Sequence, residues 1–133
     1  MKLFLDTNIF LDLILKREHY QSALIVLNAI EKRIFEAVIL DITLLNIDYL
    51  AKKQVKDIRT FLQLVNQTCE VIGASNRMME EALQLPNRDL EDNLQFVCAQ
   101  RSVCDVILTN DKDFSFEGIE ILSSSEFVKR YIS

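Results

Sequence analysis

The chain has 133 residues, half of them apolar, and a formal charge of −5 at pH 7. That length and apolar content predict a single domain, residues 1–133, with a buried core, while the acidic balance excludes a general electrostatic footprint for nucleic acid. Three cysteines, Cys69, Cys98 and Cys104, are odd in number and lack C-x-x-C spacing, so they read as reduced core thiols and not as a disulfide framework or zinc site.

The first 15 residues contain Asp6, Asn8 and Asp12 and lack a basic leader before an apolar block. Neither a signal peptide nor a membrane span is expected, and a cytoplasmic location is the default. Lys-Leu-Phe-Leu at 2–5 is a short apolar run suited to a buried first strand, and Asp6-Thr7-Asn8 suits a turn or helix cap. A first helix follows with Ile9 and Leu13 on one side. Leu24, Leu27, Ile30 and Ile34 carry the helical period of a second, from about Tyr20 to Lys32.

Phe35 to Leu40 is rich in β-formers and predicts a second strand. Asp41 or Thr43 can cap a helix running towards Lys53, with another from Val55 to Asn66. Cys69 to Ile72 is the third strand, and Ser75 or Asn76 caps a helix that Pro86 closes. Asp89 fits the N-cap of the next helix, with Glu91 and Asp92 in a first turn where the macrodipole favours anions. Leu90, Leu94, Val97 and Cys98 mark its buried side. Val103 to Leu108 is the fourth strand, Ile119 to Leu122 the fifth, and Ser123 or Ser125 precedes a terminal helix ending near Tyr131. Apolar strands alternating with helices argue for an α/β fold with a mostly parallel sheet covered on both faces.

Four aspartates stand where such a fold could assemble a metal site: Asp6 beyond the first strand, Asp92 early in a helix, and Asp111 and Asp113 beyond the fourth strand. Open α/β sheets place their sites outside the carboxyl ends of strands. Hard cations take carboxylate oxygens, water and substrate phosphate. Converging carboxylates repel and raise one another's pKa values until a cation relieves them. A bound Mg²⁺ or Mn²⁺ could then orient a phosphate, lower the pKa of an attacking water and stabilise charge on the leaving oxygen.

Phe4-Leu5-Asp6-Thr7-Asn8, Asp89-Leu90-Glu91-Asp92-Asn93-Leu94-Gln95 and Thr109-Asn110-Asp111-Lys112-Asp113-Phe114, in that order, resemble the PIN-domain family, especially bacterial VapC-like ribonucleases. The resemblance spans nearly the whole chain. It implies a three-layer α/β/α fold of about five strands, metal-dependent cleavage of RNA phosphodiesters, a homodimer and an inhibitory antitoxin as partner. It puts the family's first acid on Asp6, its helix acid on Asp92 and its late acid on Asp111, with Asp113 close enough to assist. Asn46 stands where the family's second acid is usual. Its amide oxygen can bind a water or cation but adds no charge, which puts metal affinity and number in question.

Glu91 is a secondary candidate for the same acidic opening, and Thr7, Asn8 and Asn110 suit orientation of carboxylates or water. Ordinary structural duties compete for each of these residues. Asp6 can end a strand, Asp92 can offset the helix dipole, and Asp111 and Asp113 are common turn formers. Lys16, Arg17, Lys52, Lys53 and Lys56 could supply local positive surface or simply a solvated helix face. Asp105 suits a folding or edge contact, and His19 suits capping or surface packing. A haloacid-dehalogenase mechanism expects a second aspartate where Asn8 stands, and a receiver domain lacks its paired early acids. No serine-histidine-acid assembly, P-loop or dinucleotide fingerprint is found. The nonenzyme alternative is a degenerate PIN-like module that binds RNA or protein without cutting.

Overall fold

The computed structural model describes residues 1–132. Its five strands are β1 (Lys2–Leu5), β2 (Glu36–Leu40), β3 (Glu70–Ile72), β4 (Val106–Leu108) and β5 (Glu120–Leu122). They form one sheet in the order β3-β2-β1-β4-β5, and all four pairings are parallel. The register places Leu5 opposite Leu108 and Phe4 opposite Val38, so β1 is the middle strand. From β1 the chain winds outward through β2 to β3, then returns to start β4 on the other side. The β1–β4 boundary is therefore a topological switch point, where loops diverge and leave a crevice.

Alternation along β1 explains the layers. Leu3 and Leu5 enter one core with Ile9, Phe10, Val26, Ile47 and Phe127, whereas Phe4 enters the other with Met78, Leu94, Val97 and Ile107. The first core is roofed by α1 (Thr7–Ile14), α2 (Tyr20–Glu31), α3 (Asp41–Ala51), α4 (Ile58–Thr68) and α7 (Ser124–Phe127). The second is roofed by α5 (Asn76–Gln84) and α6 (Leu90–Arg101). A π-helical segment, Val128–Ile132, follows α7. Each fully buried Leu, Ile or Phe contributes about 1.5–3 kcal/mol, which fixes the register because a one-residue slip would exchange the two faces.

Several predicted caps are present. Ser75 accepts from the Met78 N–H, Asp89 from the Asp92 N–H, and Ser123 forms a full capping box with Glu126. Asp41 instead lies inside α3, its carboxylate accepting from the Ile42 N–H at 2.7 Å, while the Thr43 hydroxyl is buried without a partner. Three expectations need correction. Val103 is not strand: its φ of 54° is left-handed and its side chain exposed, because the chain turns there after α6 before β4 starts at Val106. Leu90 is exposed, since α6 presses on the core only from Asp92 onward. The helix placed at 55–66 starts later, at Ile58.

Asp105 precedes β4 and accepts from the Lys2 N–H at 2.8 Å, a contact at the opposite end of β1 from Asp6. All three cysteines are free and buried, with burial raising the thiol pKa values to about 11 for Cys69 and Cys98 and about 12 for Cys104. Inert core thiols follow from that. Among the described residues, no helix is long and apolar enough to cross a membrane.

Candidate functional site

Asp6 leaves β1 at its carboxyl end and its N–H donates to the Leu108 carbonyl at 3.0 Å, locking it to the end of β4. It occupies the N-cap position of α1, yet its side chain makes no capping bond. The carboxylate is held elsewhere. Oδ1 accepts from Gln95 Nε2 at 3.0 Å, and Oδ2 accepts from Thr109 Oγ1 at 2.7 Å and Asn8 Nδ2 at 3.0 Å. Burial at 5 % exposure raises the Asp6 pKa, with the Thr109 and Gln95 bonds pulling against it and Asp111 adding repulsion.

Thr109 is the local hub. Its hydroxyl donates to Asp6 and accepts from Asn8 Nδ2 at 3.3 Å and from the Asp111 N–H at 3.1 Å, which uses its full capacity. Asn110 braces the same loop from outside. Its N–H donates to Asn8 Oδ1, its Nδ2 donates to Asp12 Oδ2 at 2.7 Å, and its Oδ1 accepts from the Ser124 N–H and hydroxyl. One amide side chain thereby ties α1, the β4 loop and α7 together.

The third acid arrives from the other layer. Asp92 sits in the first turn of α6, its N–H capped by Asp89 Oδ1 at 3.1 Å. The side chain is 6 % exposed, and burial, followed by the charges of Asp6, Asp89, Asp111 and Glu91, pushes its pKa up to about 7. Glu91 is raised as well, by burial first and then by Asp6. Its Oε1 accepts a short hydrogen bond from Asn46 Nδ2, which joins α3 to the first turn of α6.

A cleft of about 300 Å³ joins these groups, lined by Asp6, Thr7, Asn8, Leu11, Asn46, Tyr49, Leu50, Asp89, Glu91, Asp92 and Asp111. No basic side chain is among them. Asp113 lies outside that lining; its N–H donates to Asp111 Oδ1 at 2.9 Å, which stiffens the loop carrying Asp111. Among the described residues, no three His, Cys, Asp or Glu side chains are grouped closely enough to ligate one ion directly. The donor chemistry nevertheless fits a hydrated hard cation, which commonly takes one or two carboxylates and keeps several waters. A structural zinc site would want histidine or cysteine ligands, and the cleft lining offers neither.

Two participants escape a reading of the sequence. Gln95 lies three residues after Asp92 and so shares its face of α6, but a glutamine in an apolar helix looks like an ordinary polar position. Asp12, buried at 6 % exposure, is recognisable only through its bond to Asn110.

A family model described as PIN domain matches residues 2–113. Ribonuclease VapC1 of Aquifex aeolicus (strain VF5) is 35% identical over 85 residues, which are 60% of this chain and 56% of that protein. The match thus spans little more than half of that relative's length. Two solved structures share the fold. VapBC2 from Rickettsia felis, bound to a DNA fragment from its promoter, matches with a TM-score of 0.69 and 20% identity over 92% of this chain and 98% of its own. A toxin-antitoxin complex from Klebsiella pneumoniae matches with a TM-score of 0.69 and 26% identity over 93% and 98%.

Proposed function

The chain belongs to the PIN domain family, and we propose that it is a metal-dependent endoribonuclease that hydrolyses RNA phosphodiester bonds. The observation that carries this reading is one cleft at the β1–β4 switch point, lined by Asp6, Asp92 and Asp111 from three separate elements; burial and the neighbouring carboxylates raise the pKa of Asp92 there. Such repulsion is costly for folding and is relieved by a cation. The 35% identity to Ribonuclease VapC1 supports the choice of RNA.

Asp6, Asp92 and Asp111 would hold Mg²⁺ or Mn²⁺, directly or through its waters. When bound, the cation would lower the pKa of an attacking water and stabilise charge on the leaving oxygen. The chain's own residues do the positioning. Gln95, Thr109 and Asn8 fix both oxygens of Asp6, so that carboxylate is oriented before any ligand arrives. The Asn110 brace and the Asp113 N–H hold the Asp111 loop. Asn46 and Glu91 form the rim opposite, where the amide can orient water or phosphate and Glu91 restores part of the charge that Asn46 lacks. Water supplies the oxygen that bonds to phosphorus as the ester P–O bond breaks, so no covalent enzyme intermediate is needed. Single-stranded or looped RNA suits an open cleft because its backbone is accessible and its bases can be splayed outward.

A homodimer and an antitoxin belong to the same proposal. Leu45 and Tyr49 are 70 % and 73 % exposed on α3, and Leu50 beside them is half exposed. An apolar set of that kind favours burial against another chain. The toxin-antitoxin complex from Klebsiella pneumoniae, 26% identical, supports a protein partner.

The test compares wild type with Asp6→Asn and Asp92→Asn on several structured RNAs with Mg²⁺ or Mn²⁺, chelator serving as control. Cleavage that chelation and either substitution abolish is the expected result. RNA binding that persists without any metal-dependent cleavage would instead identify the noncatalytic module, a reading favoured by the uncharged Asn46.

A further inference from the structure

Asp111 faces two cavities. One is the acidic cleft; the other, also about 300 Å³, opens on the far side of the same loop and is lined by Thr109 to Lys112, Phe114, Ile121, Leu122, Ser123, Glu126 and His19. We infer that this second cavity is a nucleotide subsite, taking the RNA residue next to the phosphodiester held at the acidic cleft. The inference rests on the nuclease reading above and extends it to the path of the strand.

Charge selects the occupant. A polyanion threading the acidic cleft meets no cation in its lining, whereas the second cavity presents the Lys112 ammonium, with the His19 ring beside it and the carboxylates of Asp111 and Glu126 in the same wall. Neither side chain has a hydrogen bond or ion pair with another described residue, so both are available to a ligand. Both acids of that lining are tied into their own loops: Asp111 Oδ1 accepts from the Asp113 N–H at 2.9 Å, and Glu126 Oε1 accepts from the Ser123 N–H at 2.9 Å in the capping box of α7. Lys112 follows Asp111 directly, so a phosphate one step along a strand anchored at Asp111 comes within its reach.

The floor suits a base. Phe114 is buried with its ring edge against Phe116, and Ile121 and Leu122 from β5 complete an apolar surface. His19, the N-cap residue of α2, lines the same cavity, and an imidazole can stack on an unstacked base or bond to its edge. A purely apolar ligand would leave Lys112 and His19 unused, and a small anion would leave the floor uncovered. A nucleotide uses both.

The experiment uses the full chain and single-stranded RNA oligonucleotides carrying 4-thiouridine at successive positions, irradiated with chelator present so that the RNA stays intact. Crosslinks mapped by mass spectrometry should fall on His19, Lys112, Phe114 and Ile121. Lys112→Ala should reduce the slope of log affinity against log salt by ~0.7, the share of one phosphate contact on a single strand. In turnover with Mn²⁺, Lys112→Ala and His19→Ala should raise KM severalfold with kcat retained, while Arg33→Ala, at the opposite end of the sheet, changes neither. Crosslinks confined to other surfaces, or an unchanged salt slope and KM in Lys112→Ala, overturn the subsite even where metal-dependent cleavage stands. A wild type that never cleaves overturns the nuclease reading instead, and the crosslink map then still decides the subsite.

Discussion

Gln95 Nε2 lies 3.0 Å from Asp6 Oδ1 and joins α6 to the end of β1 across the interior of the protein. Gln95 is 1 % exposed and its own Oε1 has no partner, so the residue accepts an unsatisfied acceptor in order to deliver one N–H to the carboxylate. An orphaned buried acceptor costs about 1–3 kcal/mol. Gln95→Met keeps the length of the side chain and removes both polar atoms. Stability should therefore change little, while Mn²⁺ affinity falls by about tenfold or more as Asp6 loses its orientation. Calorimetric titration against Mn²⁺, set beside urea unfolding of the same samples, checks both halves; equal affinities would remove Gln95 from the site.

Asp92 makes the metal-free protein sensitive to pH. Its folded pKa of about 7 lies above the ordinary carboxylate value, so the folded state binds this proton more tightly than the unfolded chain does. The associated stability is fully present below about pH 4 and is lost as pH rises through 7. Asp92→Asn has no charge to lose. With chelator at pH 8 it should melt a few degrees above wild type, and at pH 4 the two should converge. A variant that melts below wild type at pH 8 would show that Asp92 is stabilising as an anion without metal, against this account.

The same proton competes with the cation. Mn²⁺ affinity of the wild type should rise between pH 6 and pH 8 as Asp92 ionises, and the rise should be much flatter in Asp92→Asn. Asp6→Asn should weaken binding at every pH in that range, since it removes a charge held between three donors. Affinity independent of pH in the wild type would separate Asp92 from metal binding.

Asn46 tests whether the missing acid matters. Asn46→Asp abolishes the donation from Nδ2 to Glu91 and sets two carboxylates against each other. Without metal at pH 8 the variant should lose a few degrees of melting temperature; with Mn²⁺ present it should bind more tightly than wild type and recover the loss. Identical melting curves with and without Mn²⁺ would show that the α3 rim lies too far from the cation to contribute.

The exposed face of α3 predicts self-association. Leu45→Glu with Tyr49→Glu should give a monomer by light scattering at concentrations where wild type is a dimer, with circular dichroism unchanged because neither residue is in the core. A wild type that stays monomeric across a wide concentration range would reject the dimer outright.

Local chemistry determined where the strands end, three of the helix caps and which acids could line a site. Apolar runs ending at Leu5 and Leu108 marked where β1 and β4 stop, because strands of a parallel sheet covered on both faces are near-continuously apolar and their loops polar. Asp89 was legible as a cap, and Ser75 and Ser123 each as one of two neighbouring candidates, because a capping bond spans three residues and needs no tertiary partner. The adjacency of β1 and β4 was decided by the fold alone, since Asp6 and Asp111 lie 105 positions apart and the β3-β2-β1-β4-β5 order brings their loops together. So was the division of labour among the polar residues. Asp111 lines the cleft while Asp113, two residues away, stands outside it; Gln95 holds Asp6, and Asn110 reaches Asp12 and Ser124. The direction in which a loop side chain points, and which buried polar groups must satisfy one another, depend on contacts between elements that no local pattern encodes.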